Sequence, residues 1–532
     1  MLYLKKLPLY SLFFFMVVFF FIYAYFYIGH VPIFNSPDEM ANFVFIEQFA
    51  SNSILLLPHQ FDYGSVSTFI FPRSAYATVG GILPTGFWGI VSLFGLVVKV
   101  FGVSSLVFIT PLLAVFSAWC FGQITGRVFG ARIGFWSVLL YLVHPAVWYA
   151  SSRGLSPNGS FVFFLVFGVY FLIFSSRSSA NVSSFFGLCR KFLGTVFICL
   201  ALWVRPNEVF WVVFILLVLF VYCWRVIHRR VFLANIGLGI IFALSYFLCN
   251  RYFLGGFHSG YTSSSSLVFS SWYSVLFPFG VDPKTILLVC WHYFFVLFWW
   301  YTIPAILGIF FVLSKKEKQS RVCRNHLRIY TIIGAGLTLF LCIYYGSYTA
   351  LSGATPSIGV AFVRYFLPIY IMLIPFVLCF WERLINCFSR RLGVVFMVFV
   401  CGFYVFFSAQ LVYGGPDGLI AVGHNLDHAR FVRNDVSMFL PSDAVILTAH
   451  EDKFFWPKFQ VMQNIFDPDI VSAAKILHKE GFPVYYFGGG PETGVKKKVE
   501  NEYAAAGFVL ILVKKYPPHA LYLLSSPNYI YE

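Results

Sequence analysis

Long apolar segments, separated by short loops, fill the first 416 residues of this chain. The first, residues 7–28, carries no charged side chain over its 22 residues, and a helix of about 20 apolar residues crosses the roughly 30 Å hydrocarbon core of a bilayer. Only 11% of the 532 residues are charged, against about 25% in soluble proteins. The sequence therefore predicts a polytopic α-helical membrane protein and excludes a soluble, disordered or collagen-like chain.

Eleven spans are predicted, at residues 7–28, 104–124, 133–150, 159–175, 192–204, 209–224, 231–249, 285–313, 329–348, 365–380 and 392–413. Lys and Arg collect in cytoplasmic loops, and this arrangement places 19 of the 26 basic residues of positions 1–416 inside. The first span lacks a small-residue cleavage site, so we expect it to remain as an anchor with the N-terminus inside. The basic residues behind the net charge of +16 therefore lie mostly in loops beside the membrane, and we expect no nucleic-acid partner.

The apolar stretch 81–101 is interpreted differently from the spans. If it crossed the membrane, Arg127, Arg132 and every later basic loop would move to the outside, against the charge rule. Pro84 and several glycines also interrupt it. We therefore expect a helix that lies on the outer surface, within a first outside loop formed by residues 29–103 of a membrane domain covering residues 1–416.

The tail, residues 417–532, has a different composition and holds 13 of the 21 acidic residues. Strand-like runs at 444–448, 484–487, 508–513 and 520–524 are separated by helical patterns at 426–439, 469–480 and 492–505. This alternation predicts a small C-terminal extracytoplasmic α/β domain. The tail contains no cysteine, so neither a disulfide framework nor a zinc spacing is predicted there. A divalent metal is not indicated by the sequence, although it stays open.

The segment 35–43 follows the first span and contains two adjacent acids. Ser36, Pro37 and Glu39 have the spacing of a capping box with proline at the first helical position. Glu39 therefore has a structural explanation as well as a catalytic one. Asp38 is left free by that capping pattern, and its side chain points about 100° away from that of Glu39 on a helix. We predict one base, Asp38, with Glu39 as its acidic neighbour.

Basic residues at the outer membrane edge are the second signal, because the topology rule disfavours them there. Arg205 begins Arg-Pro-Asn-Glu, Arg364 begins Arg-Tyr-Phe-Leu-Pro, and Arg153 lies in Ser-Ser-Arg-Gly. One interpretation is snorkelling, or an ion pair with Glu208 or Asp282. The other is that several guanidiniums converge on an anion and bind a phosphate through paired hydrogen bonds. A base and a phosphate site together suggest glycosyl transfer from a polyprenyl phosphate, with the lipid tail among Phe-rich spans.

At these residues the chain resembles the GT-C superfamily of integral membrane glycosyltransferases, which includes protein O-mannosyltransferases and aminoarabinose transferases. The resemblance covers residues 1–415. It rests on the acidic pair in a long first outside loop, Ser152-Arg153, Arg205-Pro206, and Arg364 with Tyr365 and Pro368. It implies a polyprenyl-phosphate-linked sugar donor at the outer face and Asp38 as the base. Related enzymes often place an acid where this chain has Asn158, so a metal or second-acid role at that position is not supported.

The residues expected to bind the donor phosphate or substrate are Arg205, Arg364, Arg153, Tyr365, Asn158, Arg73 and His258. The acceptor is expected to be a glycan, a lipid or a protein of the cell envelope, and the cell membrane is the expected location. Two alternatives remain open at the level of sequence. One is a transporter or flippase of lipid-linked glycans; the other is a non-catalytic partner in envelope assembly.

Overall fold

The computed structural model describes residues 7–174, 185–223, 229–255, 277–314, 321–348, 355–489 and 494–526. The chain divides into two compact units. The first, here called the membrane unit, contains residues 1–29, 105–247 and 267–421. The second, here called the loop–tail unit, contains residues 30–104, 248–266 and 422–532. Residues of the first outside loop and of the C-terminal tail are thus grouped together.

Apolar helices build the membrane unit. They are α1 Leu7–Ile28, α4 Leu106–Phe129, α5 Ala131–Val143, α6 Pro145–Ser152, α7 Pro157–Phe174, α8 Phe185–Val204, α9 Val209–Cys223, α10 Arg229–Leu254, α11 Pro283–Cys290, α12 Trp299–Ser314, α13 Arg321–Gly346, α14 Ala361–Tyr365, α15 Leu367–Ile385 and α16 Arg390–Tyr413. Helix α10 extends into the residues grouped with the other unit. A π-helical turn at Trp291–Val296 joins α11 to α12.

Within the described residues, six helices are long and apolar enough to span a membrane, and up to nine spans result if each of three bent helix pairs is one span. The chain is therefore a multi-pass membrane protein. The sequence predicted eleven spans, and the described residues of each lie mainly on helices. The count is smaller because 192–204 and 209–224 lie on the two arms of one pair bent by 117°, and because the helix at Pro157–Ile173 is shorter than a full span.

Small residues allow some of these helices to approach closely. A Cβ on Gly134 would lie 2.6 Å from the carbonyl oxygen of Gly122, and one on Gly308 would lie 1.9 Å from that of Phe376. Real Cβ atoms do not tolerate such distances, so α4 and α5, and likewise α12 and α15, meet through glycine. A larger side chain at either glycine would push the two backbones apart.

The loop–tail unit starts with α2 Pro37–Asn52, a two-stranded antiparallel pair, β1 Ala75–Thr78 with β2 Gly81–Pro84, and α3 Trp88–Phe101. The stretch 81–101, for which a surface helix was predicted, divides into β2 and α3. With 14 residues, α3 is shorter than the roughly 20 that a membrane span requires.

A five-stranded mixed sheet forms the centre of the tail, with strand order β4-β3-β5-β7-β6. Its elements are α17 Leu419–Val436, β3 Val445–Thr448, α18 Asp452–Phe455, β4 Gln460–Met462, α19 Pro468–Lys479, β5 Val484–Gly489, α20 Gly494–Ala505, β6 Val509–Tyr516 and β7 His519–Ser525. Strands β4, β3 and β5 are parallel, and β7 is antiparallel to β5 and β6. The four predicted strands and three predicted helices are present. The three-residue β4 was missed because it is too short to show an alternating pattern.

The core of the loop–tail unit joins residues that are far apart in the chain. Tyr63, Val66 and Ile70 of the first loop are buried in the same cluster as Leu447 and Tyr486 of the sheet. All five are at most 1% exposed. Burial of this apolar area fixes the first loop on one face of the sheet.

Candidate active site

Asp38 lies in the first turn of α2, in the loop–tail unit. Ser36 is the N-cap of this helix, and its backbone N–H donates to Oε2 of Glu39 at 3.3 Å. Glu39 is 1% exposed, so the structural explanation of this residue is supported by a contact. The carboxylate of Asp38 is half-buried and accepts a hydrogen bond from the hydroxyl of Ser74 at Oδ1. The two adjacent acids therefore have separate partners.

Arg73, adjacent to Ser74, binds the tail. Its Nε donates to Oδ1 of Asp452 at 2.8 Å, and Nη2 lies 2.7 Å from the same oxygen. Nη1 also contacts Nδ1 of His450 at 3.3 Å. The guanidinium is thus already held by residues of its own unit, and its predicted role in substrate binding has no support from these contacts.

Arg205 lies in the membrane unit, at the break between α8 and α9, and is 7% exposed. Its Nε donates to Oε1 of Glu208 at 2.8 Å, and its Nη2 donates to the hydroxyl of Tyr345 at 3.0 Å. Tyr345 donates to the same Glu208 oxygen at 2.6 Å, and Nε1 of Trp211 donates to Oε2 at 2.5 Å. The ion pair with Glu208, one of the two interpretations of Arg205, is present.

Tyr365 covers this buried pair. Its ring stacks on that of Tyr345 with a centroid distance of 4.2 Å and an interplanar angle of 12°. The guanidinium carbon of Arg205 lies 5.8 Å from the centre of the Tyr365 ring, which is within the range of a cation–π interaction. The predicted residues Arg205 and Tyr365 are therefore brought together.

Arg364 differs from Arg205 in its partners. Its Nε is buried and has no hydrogen-bond partner among the residues that the structure describes. Asp282, a candidate partner from sequence, instead caps α11 by accepting from the backbone N–H of Lys284 at 3.1 Å. A buried guanidinium nitrogen without a partner is costly, and an anionic ligand would satisfy it.

Arg153 and Asn158 lie at the facing ends of α6 and α7. Arg153 is the C-cap of α6, and its Nη1 donates to the hydroxyl of Tyr149 at 3.0 Å. Tyr149 in turn donates to the backbone carbonyl of Asp417 at 2.8 Å. Asn158 is 5% exposed and accepts a long hydrogen bond, 3.5 Å, from Ser156. Both side chains thus have neighbours in the same unit.

The short helix α14 connects these residues. It carries Arg364 and Tyr365 and packs against α6, α7 and α13, which bear or adjoin Arg153, Asn158 and Tyr345. The segment before α14 is fixed by Asp417, whose carboxylate accepts from the hydroxyl of Ser357. Of the seven predicted binding residues, five are therefore grouped around one helix of the membrane unit. His258 lies outside the described residues.

A cavity of about 160 Å³ lies inside the membrane unit. Its lining includes Trp211, Pro368, Arg127 and His326, and the other lining side chains are aliphatic or aromatic. Trp211 is the residue that donates to Glu208. The cavity is therefore linked through Trp211 to the buried Arg205–Glu208 pair.

A second polar cluster lies in the tail, at the carboxyl end of β3. Burial alone would raise the pKa of Glu451, but hydrogen bonds from His519, Thr448 and the backbone N–H of His450 outweigh it and lower the pKa to about 2. Burial lowers the pKa of His428, with a further contribution from the nearby His519. Within the described residues, no group of three His, Cys, Asp or Glu side chains is arranged to hold a metal.

Several contact residues were not identified from the sequence. Each of them is identified only by a hydrogen bond to a position more than 100 residues away in the chain. They are Asp452, Asp417 and Tyr345. Asp452 and Asp417 lie in the tail and its junction, where acidic residues are numerous and carry no distinctive spacing. Tyr345 is one of 32 tyrosines. No local signal separates these residues from their neighbours.

Solved structures of ArnT share this fold. ArnT from Cupriavidus metallidurans bound to undecaprenyl phosphate aligns with a TM-score of 0.59 and 13% identity, over 96% of this chain and 97% of that one. Its apo form aligns with a TM-score of 0.55 and 12% identity over the same shares. The apo oligosaccharyltransferase of Archaeoglobus fulgidus aligns at 0.49 and 12% identity, over 98% of this chain and 75% of that one. No protein-family model matches the chain, and no curated protein matches it in sequence.

The fold predicted from the sequence motifs is confirmed by the match to ArnT. That prediction was a GT-C-like helical membrane protein with a small C-terminal α/β domain. At 13% identity the match establishes the fold, and residue roles have to be argued from the side chains of this chain.

Proposed function

We propose that this protein transfers a sugar from a polyprenyl-phosphate donor to an acceptor hydroxyl at the outer face of the cell membrane. The observation that carries the proposal is the buried Nε of Arg364, for which the described part of the chain supplies no hydrogen-bond partner. Arg364 lies on a helix that also packs against the ends bearing Arg153 and Asn158. A phosphate ester satisfies such a guanidinium with charge-assisted hydrogen bonds. The ArnT structure with this fold holds undecaprenyl phosphate, which is a ligand of the same chemical class.

Arg364 is the principal phosphate ligand in this proposal. Arg205 contributes a positive charge, although Glu208 already neutralises much of it. Arg153, held by Tyr149, and Asn158 have supporting roles toward the phosphate or the sugar. The neutral ring of Tyr365 covers Arg205 and limits access of water to it.

Asp38 is the proposed base. The reaction forms a bond between the acceptor oxygen and the anomeric carbon of the sugar, and Asp38 accepts the proton of that hydroxyl. The bond from the anomeric carbon to the phosphate oxygen breaks, and the electron pair leaves with the polyprenyl phosphate. Arginine side chains stabilise the negative charge that develops on the leaving phosphate, which is commonly the largest contribution to catalysis. Ser74 occupies one carboxylate oxygen of Asp38, and the other oxygen takes the proton.

The cavity of the membrane unit suits the first part of a lipid tail. Its volume, about 160 Å³, is close to that of an apolar cavity that holds one benzene-sized molecule, about 150 Å³. It therefore accommodates roughly one isoprene unit. The remainder of the polyprenyl chain would lie along the apolar outer surfaces of the helices.

Release of undecaprenyl phosphate tests the proposal without knowledge of the acceptor. Purified protein in lipid nanodiscs is incubated with undecaprenyl phosphate carrying a hexose or pentose and with an envelope glycolipid extract. Free undecaprenyl phosphate is then measured by mass spectrometry. Asp38→Asn should lower the rate at least 100-fold, in line with the roughly 10²–10⁴-fold effect of a general base. It should leave undecaprenyl phosphate binding unchanged.

Arg364→Ala should instead weaken undecaprenyl phosphate binding about 10- to 100-fold, since a hydrogen bond to a charged group contributes about 1.5–3 kcal/mol. Arg383→Ala, at an exposed position in the last turn of α15, is the matched control and should bind normally. Wild-type turnover by Asp38→Asn would refute the assignment of the base. Movement of the lipid-linked sugar across vesicles without cleavage would favour a flippase.

A further inference from the structure

A buried acid in the tail holds the turn that contacts Asp38. Asp452 is 1% exposed, and its carboxylate binds Arg73 at three points. Oδ2 accepts from the backbone N–H of Arg73 at 2.8 Å, and Oδ1 accepts from Nε at 2.8 Å and lies 2.7 Å from Nη2. These contacts fix both the backbone and the side chain of Arg73. A single exposed ion pair would fix only the side chain.

Ser74, the next residue, has an unusual backbone conformation. Its φ is +63°, in the left-handed region that costs an ordinary L-residue about 1–2 kcal/mol. Its carbonyl accepts from the backbone N–H of Thr85 at 3.1 Å, and its hydroxyl donates to Asp38. Because the conformation is unfavourable by itself, the surrounding contacts have to maintain it. The contacts between Asp452 and Arg73 join two charged groups, and charge-assisted hydrogen bonds are about twice as strong as neutral ones.

The short helix α18, which begins at Asp452, contacts α2 and the residues before it at two further points. Nζ of Lys453 donates to the backbone carbonyl of Asn35 at 2.5 Å, three residues before Asp38. The ring of Trp456, which follows the helix, lies 5.9 Å from that of Phe45 on α2. Residues 452–456 therefore contact both the turn that donates to Asp38 and the helix α2 that carries Asp38.

We propose that Asp452 is a positioning residue for Asp38, acting through Arg73 and the hydroxyl of Ser74. The tail then contributes to catalysis by orienting the base, without contact to the substrate. The inference rests on the proposed function, in which Asp38 accepts the acceptor proton. It adds a residue more than 400 positions away along the chain, and it assigns Arg73 to this linkage.

The test is a double-mutant cycle in the undecaprenyl phosphate release assay. Asp452→Asn keeps the size of the side chain and removes its charge. We expect its kcat to fall about 10- to 100-fold, the range for a misplaced catalytic group, with unchanged KM for the donor and unchanged undecaprenyl phosphate binding. Ser74→Ala should produce a similar loss. Because both variants interrupt one linkage, the double variant should lose little more than either single variant.

Asp435→Asn is the matched control. Asp435 also forms an ion pair within the loop–tail unit, 2.7 Å from Nζ of Lys514, and it accepts from the hydroxyl of Tyr516. Neither partner belongs to the turn that donates to Asp38. This variant should retain wild-type kcat. Hydrogen–deuterium exchange of residues 71–78 supplies a readout that does not depend on activity, and it should rise in Asp452→Asn and stay unchanged in Asp435→Asn.

The outcomes separate the inference from the proposed function. Normal kcat in Asp452→Asn, or losses that add fully with Ser74→Ala, would overturn the positioning role while an inactive Asp38→Asn upheld the base. A higher KM for the donor, or weaker undecaprenyl phosphate binding, with kcat unchanged in Asp452→Asn would also overturn the positioning role. Absence of turnover in the wild-type protein would overturn the proposed function, and the inference with it.

Discussion

Removal of the Glu208 carboxylate should destabilise the membrane unit by about 3–5 kcal/mol. Glu208 is 4% exposed and accepts from Arg205, Tyr345 and Trp211 at 2.8, 2.6 and 2.5 Å. Glu208→Ala leaves the buried guanidinium of Arg205 without its carboxylate. Breaking one side of a buried ion pair costs about 3–5 kcal/mol because an uncompensated charge remains.

The magnitude can be measured by unfolding purified protein with SDS in mixed micelles and following tryptophan fluorescence. Three variants form the cycle: Glu208→Ala, Arg205→Met and the double variant. Because the double variant buries no lone charge, its destabilisation should be smaller than the sum of the single effects by about 2–3 kcal/mol.

An exposed pair in the same unit provides the control. Arg132 and Glu382 lie 3.4 Å apart with side chains that are 52% and 32% exposed, and such surface pairs contribute about 0–1 kcal/mol. Glu382→Ala should therefore have little effect. A stabilising interaction within the buried pair would be refuted if Glu208→Ala were no more destabilising than Glu382→Ala, or if the effects of Glu208→Ala and Arg205→Met added fully.

Three further variants test other parts of the structure. Gly359→Ala places a Cβ 2.6 Å from that of Asp417 and should weaken undecaprenyl phosphate binding about 10-fold by shifting the segment before α14, whereas Gly402→Ala, with no atom within 4 Å, should bind normally. Ile333→Trp fills the cavity and should weaken lipid binding with a stability cost of at most about 1–3 kcal/mol. Glu451, with its pKa lowered to about 2, should contribute about 3 kcal/mol of stability at pH 7. That contribution disappears as pH falls from about 4.5 through 2, so the melting temperatures of wild type and Glu451→Gln should converge on acidification.

Local chemistry in the sequence was sufficient for most elements of the fold, although it did not predict β1, β2 or β4. Apolar runs located the helices, since a membrane span needs only length and the absence of charge. The Ser36–Glu39 spacing located the start of α2 because a cap involves neighbours three residues apart. Alternating patterns located four of the five strands of the sheet. The number of spans could not be predicted correctly from the sequence. A bend such as that after Val204 depends on how the helices on either side of it pack, and this packing is not local.

The pairing of the charged residues could be determined only from the tertiary structure. Arg205 and Arg364 each follow a valine and have a proline within the next four residues, yet Arg205 is paired with Glu208 and donates to Tyr345, and Nε of Arg364 has no partner among the described residues. Arg73, which was predicted to bind substrate, donates to Asp452, 379 positions away, and nothing in the sequence indicated that partner. Apolar periodicity records which face of an element is buried. It does not record which distant side chain meets that face, because hydrogen bonds and ion pairs depend on distances of about 3 Å that only the folded chain defines.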